Sequence, residues 1–324
     1  MKILLTGFSG FVSKHFLDMM NVKEPGTEII GIAREQPTFD IASFENLNIK
    51  FCRADLLDKA SVDKILSEFQ PEYILHLASV SSVALSWQTP YESFVNNTNI
   101  FLNVVEQVRL NKFKCRILSV GSSEEYGEVS EDLLPLAETY TLKPVSPYAV
   151  ARVSQEMLSK IYAEGYDLDI VMTRSFNHIG PGQKENFVIS SFAKQLIQMS
   201  QHPSGKNILI AGDVSIIRDF LDVRDVVEAY LLLLKNGKSG EIYNICSGHG
   251  RSLNEIIQTL ASQLGINVTV KTDPARVRPN ENKKVIGSNQ KIREELGWAP
   301  KISFEESLAD ILSYWKNKLQ EISS

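Results

Sequence analysis

The segment that most restricts what this chain can fold into lies at its start. Lys2 to Leu5 reads as a short apolar strand, which runs at once into Thr6-Gly7-Phe8-Ser9-Gly10-Phe11-Val12-Ser13, and helical spacing then continues to about Met20. Gly7 and Gly10 stand in G-x-x-G spacing. Glycine lets a backbone turn tightly and approach a pyrophosphate with no Cβ in the way, and a helix N-terminus presents free N–H groups to an anion. Two glycines are weak evidence alone. Between a strand and a helix at the chain's start they fit a dinucleotide-binding turn, with Phe11 and Val12 as the next cofactor contacts. A third glycine belongs three residues further on, where it serves helix–sheet packing, and Ser13 stands there instead.

Strand and helix patterns alternate beyond this turn. Glu28 to Ala33, Ile49 to Ala54, Tyr73 to Leu77, Arg116 to Val120 and Leu168 to Met172 read as strands. Ser61 to Phe69, Phe94 to Leu110 and Pro147 to Ala163 read as helices between them. Such alternation predicts a parallel sheet covered on both faces, with ligands at the carboxyl ends of its strands. The expected fold class is α/β: a Rossmann-type doubly wound sheet over residues 1–174, with returning segments near 213–246, and a smaller C-terminal α/β substrate region over 175–324. In that second region Val188 to Met199, Val223 to Leu234, Leu253 to Leu264 and Phe304 to Trp315 read as helices, between loops at 177–186, 202–207 and 273–282.

Composition narrows the partners. With 34 Lys+Arg against 39 Asp+Glu the formal net charge is −5, which argues against nucleic-acid binding. No apolar run is long enough for a membrane span, and the N-terminus lacks the apolar run of a signal peptide. Cys52, Cys115 and Cys246 are odd in number and far apart, as expected of buried free thiols in the cytoplasm. The five histidines show no metal spacing, so no metal site is expected. His178 fits either a sugar contact or a structural hydrogen bond.

The second strand ends in Ala33-Arg34-Glu35. Arg34 can pair with a ribose 2′-phosphate, which favours NADP; the alternative is that Glu35 grips a ribose hydroxyl, as in an NAD site. The reactive groups are expected in two places. One is Gly121-Ser122-Ser123-Glu124-Glu125-Tyr126-Gly127, just past a strand end. The other is Ser146-Pro147-Tyr148-Ala149-Val150-Ala151-Arg152, where Tyr148 and Arg152 are four apart and share a helix face. A cation there favours tyrosinate, so Tyr148 can protonate an oxyanion as hydride reaches a carbonyl carbon, and Ser122 can donate a second hydrogen bond.

With these motifs the chain resembles the extended short-chain dehydrogenase/reductases that act on nucleotide sugars, over nearly its whole length. The resemblance places Asp55 and Leu56 at adenine, Leu77 and Ala78 along the cofactor, and Asn97 in the family's Asn-containing helix. Gly-Ser-Ser-Glu-Glu-Tyr-Gly (121–127), Arg-Ser-Phe-Asn-His-Ile-Gly-Pro-Gly-Gln (174–183), Ile217-Arg218-Asp219-Phe220 and Arg278-Pro279-Asn280-Glu281 look most like the GDP-4-keto-6-deoxy-mannose reductase branch. GDP-mannose 4,6-dehydratases are close to it. The resemblance implies Asn177, Lys194, Arg218, Arg278 and Glu281 as substrate contacts, the arginines on the pyrophosphate. It also implies a homodimer through the helices over 94–110 and 147–163.

The activity so implied is NADPH-dependent reduction of the 4-keto group of a GDP-linked 4-keto-6-deoxy sugar. A 4,6-dehydratase is the alternative, since Glu124 holds that reaction's acid–base position. A 4-epimerase or a non-catalytic cofactor-binding protein follows behind. The family's helix motif is Tyr-x-x-x-Lys, and Arg152 departs from it: the charge is kept, the shape is larger and forked.

Overall fold

The computed structural model describes residues 1–201, 207–277 and 282–323. In chain order its strands are β1 (Lys2–Thr6), β2 (Glu28–Ala33), β3 (Asn48–Arg53), β4 (Tyr73–His76), β5 (Arg116–Ser122), β6 (Asp169–Ser175), β7 (Asn177–Ile179), β8 (Ile208–Ala211), β9 (Ile217–Asp222), β10 (Ile242–Ile245), β11 (Gly250–Ser252), β12 (Thr269–Thr272) and β13 (Lys284–Val285). The helices are α1 (Phe11–Lys23), α2 (Lys59–Phe69), α3 (Val83–Gln88), α4 (Pro90–Phe94), α5 (Ile100–Leu110), α6 (Pro147–Tyr166), α7 (Val188–Gln201), α8 (Val223–Asn236), α9 (Leu253–Gln263), α10 (Gln290–Leu296) and α11 (Phe304–Ser323).

Seven strands form one sheet in the order β10-β6-β5-β4-β1-β2-β3, with every neighbouring pair parallel. Its strands are apolar on both faces. Ile3 and Leu5 of β1 join a core with α1 and α8, while Leu4 joins the opposite core with α2, α5 and α6. That two-sided burial is why the strands read as continuous apolar runs. Strand order reverses between β1 and β4, and a crevice opens at such a switch point. A separate core packs α7, α9 and α11 with β8 and β9. Beside it β11, β9 and β13 make a small sheet, joined by β7. Among the described residues no helix is long and apolar enough to cross a membrane.

Several elements differ from their sequence-based expectation. β6 runs on to Ser175 rather than stopping at Met172, since β5 and β10 pair with it on either side. β10 is four residues with Asn244 inside it, too short and too polar for a sequence reading; its partner β6 makes it a strand. The helix expected over 94–110 starts earlier, with α4, and passes through a π-helical turn at Val95–Asn99 before α5. The buried Asn97 side chain sits in that turn. It accepts from Val80 N (3.0 Å) and donates to Ser93 O (2.7 Å) and Val80 O (3.3 Å), so the widened turn binds the loop after β4.

Candidate active site

The turn after β1 needs glycine twice over. Gly7 has φ +69°, and a Cβ on it would lie 2.8 Å from Ala78 N. Gly10 N donates to Gly7 O (2.9 Å), and Gly10 caps α1 with backbone alone, so no side chain occupies the helix N-terminus. Ser13 replaces the expected third glycine without loss: its hydroxyl donates to Gly7 O (2.8 Å) and closes the turn from the helix side. On the other side Thr6 Oγ1 accepts from Leu77 N and Ala78 N, each at 3.1 Å, and lies 3.1 Å from His76 Nδ1. With both lone pairs taken, the Thr6 hydroxyl proton goes to Nδ1, and His76 is the neutral tautomer protonated on Nε2. Burial, reinforced by the charge of Arg152, lowers the pKa of His76 to about 3.

A cleft of about 570 Å³ runs from this turn along the strand ends. Gly7, Gly10, Phe11, Val12, Leu77 and Ala78 line it. Arg34, Asp55 and Leu56 line its far end, so the structure brings together every residue expected to hold the cofactor. Glu35 lines that end too. Arg34 is fixed on both sides: its Nη1 donates to Asn96 Oδ1 (3.2 Å), and its carbonyl accepts from Arg53 Nε (2.9 Å). Asp55 Oδ1 accepts from Leu57 N (2.9 Å).

The groups expected to react meet at the opposite end. Ser146 caps α6 by accepting from Ala149 N (3.1 Å), and Pro147 opens the first turn, which projects Tyr148 and Arg152 from one face towards the end of β5. Tyr148 and Arg152 are buried and line the cleft, and Arg152 Nε donates to Tyr148 Oη (3.1 Å). Ser122 lines the cleft beside them. Its Oγ accepts from Glu124 N (3.2 Å), which leaves the hydroxyl proton to point elsewhere. Glu124 is not part of the cleft wall; it opens the 3-10 turn Ser123–Tyr126. The carboxylate that matters to local geometry is its neighbour Glu125, which sequence reasoning passed over. Its Oε1 accepts from Ser122 N (2.6 Å), and burial together with Glu156 pushes its carboxyl well above the usual range. Glu156 in turn takes a two-pronged bond from Arg174, 2.8 Å on each side.

The residues expected to hold substrate are less convergent. Asn177 lines the cleft, and its Nδ2 donates to Asp219 O (3.1 Å). Arg218 lies on β9, outside the cleft wall, with Nη1 donating to Ile217 O (2.9 Å). Lys194 is not brought to the cleft either: on α7 it pairs with Glu185 and stands 5.6 Å over the Trp315 ring. Arg278 and Glu281 fall outside the described residues. The wall instead carries Gln183, Lys184 and Phe187, which sequence reasoning missed because they lie in a loop with no periodicity. His178 also lines it; its Nε2 is 3.3 Å from Tyr230 Oη, and burial lowers its pKa to about 4.

A switch-point cleft with a glycine turn at one end and a Tyr–Arg pair at the other is the layout of a nicotinamide-dependent short-chain dehydrogenase/reductase of the extended kind. The chain belongs, more narrowly, to the GDP-mannose 4,6 dehydratase family, whose model matches residues 4–311. It is 33% identical over 320 residues to GDP-6-deoxy-D-mannose reductase of Pseudomonas aeruginosa, covering 99% of each chain. Among solved structures it resembles RMD from Pseudomonas aeruginosa complexed with NADPH, with 32% identity, a TM-score of 0.85 and coverage of 98% of this chain and 99% of that one. UDP-glucose 4-epimerase of Thermotoga maritima with UDP-glucose has a TM-score of 0.87 at 29% identity, covering 98% of this chain and 100% of that one.

Proposed function

We propose that this protein uses NADPH to reduce the 4-keto group of a GDP-linked 4-keto-6-deoxy sugar. The observation that carries the reading is the buried Tyr148–Arg152 contact at one end of a cleft whose other end holds Arg34. The relationship to a GDP-6-deoxy-D-mannose reductase over the full length supports the substrate class. The residues fit the cofactor: Gly7 and Gly10 leave room for a pyrophosphate at the α1 N-terminus, and Asp55, Leu56 and Arg34 line the far end of the cleft, where Asp55 and Leu56 would hold the adenine and Arg34 would pair with the 2′-phosphate. Bound NADPH supplies the hydride. Tyr148 Oη gives its proton to the oxygen at C4, Ser122 Oγ donates a second hydrogen bond to that oxygen, and Arg152 holds the tyrosinate left behind. Asn177, on the cleft wall, contacts the nucleotide sugar, and the resemblance adds Lys194, Arg218, Arg278 and Glu281. Residues 1–174, with 213–246, carry the cofactor, and the remainder carries the substrate.

Incubation with NADPH and either GDP-mannose or a panel of GDP-linked 4-keto sugars, with products identified by NMR, tests this. The expected outcome is one molecule of NADPH consumed per sugar reduced. Conversion of GDP-mannose with no net NADPH consumption would instead establish the 4,6-dehydratase that the family model and Glu124 leave as the second reading.

We also propose that the working form is a homodimer in the cytoplasm. Trp87, Tyr91, Phe94, Val150, Met157 and Ile161 are exposed apolar residues on α3, α4 and α6, a face that in the family pairs with a second copy. A monomer in light scattering at micromolar concentration would overturn this. Three free thiols suit a reducing compartment.

A further inference from the structure

A guanidinium is harder to aim than an ammonium. Its donors lie in a fixed plane, so it does a lysine's work only if that plane is held. In this chain Arg152 is held at three points. Nε donates to Tyr148 Oη (3.1 Å), and Nη1 donates to Val120 O (3.0 Å) and to Gln155 Oε1 (2.7 Å). Gln155 is itself immobilised, at 1% exposure. Its Nε2 donates to Ser119 Oγ (2.9 Å) and Val120 O (3.2 Å). A carbonyl only accepts, so the amide nitrogen must face Val120 and the amide oxygen must face Arg152. Ser159 Oγ, 2.9 Å from Ser119 Oγ and 2.8 Å from Gln155 O, braces the group from the next turn of α6. Nη2 of Arg152 makes no hydrogen bond among the described residues, and Arg152 lines the cleft.

We propose that Gln155 is a positioning residue that makes arginine workable at this site. It grips Nη1, which turns the Nε edge to the Tyr148 hydroxyl and leaves Nη2 for the cofactor. A lysine at 152 has a single nitrogen and no fork for Gln155 to grip, so the contribution of Gln155 depends on Arg152 being there. The catalytic half of this inference rests on the reductase reading; the cofactor-binding half does not.

The test is a double-mutant cycle on the full chain, with the parent, Gln155→Met, Arg152→Lys and the double variant. NADPH affinity, kcat, KM for the keto sugar and melting temperature are measured on each. Gln155→Met should lower NADPH affinity and kcat by roughly 10- to 100-fold, the worth of a hydrogen bond to a charged group, with KM for the sugar little changed. The same change on the Arg152→Lys background should cost less than about threefold, because a single ammonium already free to turn towards Tyr148 has no plane for Gln155 to fix. Equal losses on both backgrounds, or a loss tracking melting temperature alone, would make Gln155 merely structural and overturn the proposal. If Gln155→Met does not fold, Gln155→Asn keeps the chemistry and withdraws it from Arg152, and the same dependence on background is expected. Should the parent reduce no keto sugar, the reductase reading fails, while the NADPH affinities still decide the role of Gln155.

Discussion

At the cofactor end of the cleft the ligand-facing groups are turns and backbone N–H groups, placed by the register of a seven-stranded parallel sheet. At the end where substrate is expected the candidate groups are side chains on a four-stranded sheet, a helix and loops, and two of them, Asn177 and Lys194, already bond to other parts of the chain. The first end is finished by folding alone: Thr6, Ser13 and Gly7 close it through bonds that need no ligand. The second is drawn together by Asp219. It is buried on β9 and accepts from Ser247 N (2.8 Å), Ser247 Oγ (2.6 Å), Gly248 N (3.0 Å) and Gly287 N (3.3 Å), tying two distant segments to one carboxylate. A sheet that fixes backbone suits a ligand part common to a whole family, and adaptable side chains suit the part that varies.

Tyr148→Phe gives the largest effect expected, because it strikes where the two ends meet. It removes one hydroxyl and should cut turnover by about 10² to 10⁴, the worth of a positioned general acid, with NADPH affinity nearly intact. Normal turnover in steady-state assays would remove Tyr148 from the chemistry. A crossed pair of variants then sharpens the contrast between ends. Arg34→Ala should weaken NADPH by roughly 10- to 100-fold and leave NADH and GDP unaffected in calorimetry; Arg218→Ala should weaken GDP by a similar factor and leave NADPH alone. If both variants move both ligands, the two ends are not independent.

The smallest effect concerns stability at the cofactor end. His76 titrates near 6.5 in the unfolded chain and at about 3 when folded. The unfolded state therefore takes up the proton first, and stability falls as pH drops from 6.5 towards 3. The loss from this group should reach about 1 kcal/mol by pH 5.5. His76→Gln, which can still accept from Thr6, should flatten the denaturant-midpoint profile over that window relative to the parent.

The cofactor end was legible in the sequence because its signals are local. Gly7, Gly10, Tyr148 and Arg152 sit at short spacings beside clear strand or helix periodicity. Ser13 showed as a departure, though not as the hydroxyl that repairs it, since its bond to Gly7 O depends on how α1 leaves the turn. Gln155 gave no signal, because a glutamine three residues past an arginine reads as an ordinary surface pair. Lys194 and Arg218 were reachable through resemblance alone, and resemblance carries no information about the Glu185 carboxylate that Lys194 meets. α3 and α4 escaped because the apolar side chains of Trp87 and Tyr91 face outward, which breaks the periodicity by which a buried helix is recognised.

The edge strand β10 also governs how this protein can be made. While the ribosome has delivered the chain only as far as Ser175, β6 is an open edge, and the face that α8 will cover with Val226, Tyr230 and Leu233 is bare. The sheet is complete only after Ile245 has emerged. Until then the nascent chain offers an unpaired strand edge and an apolar surface to whatever is near, the kind of exposure that favours aggregation. Truncation at residue 174 should for the same reason yield an aggregating fragment rather than a small cofactor-binding protein.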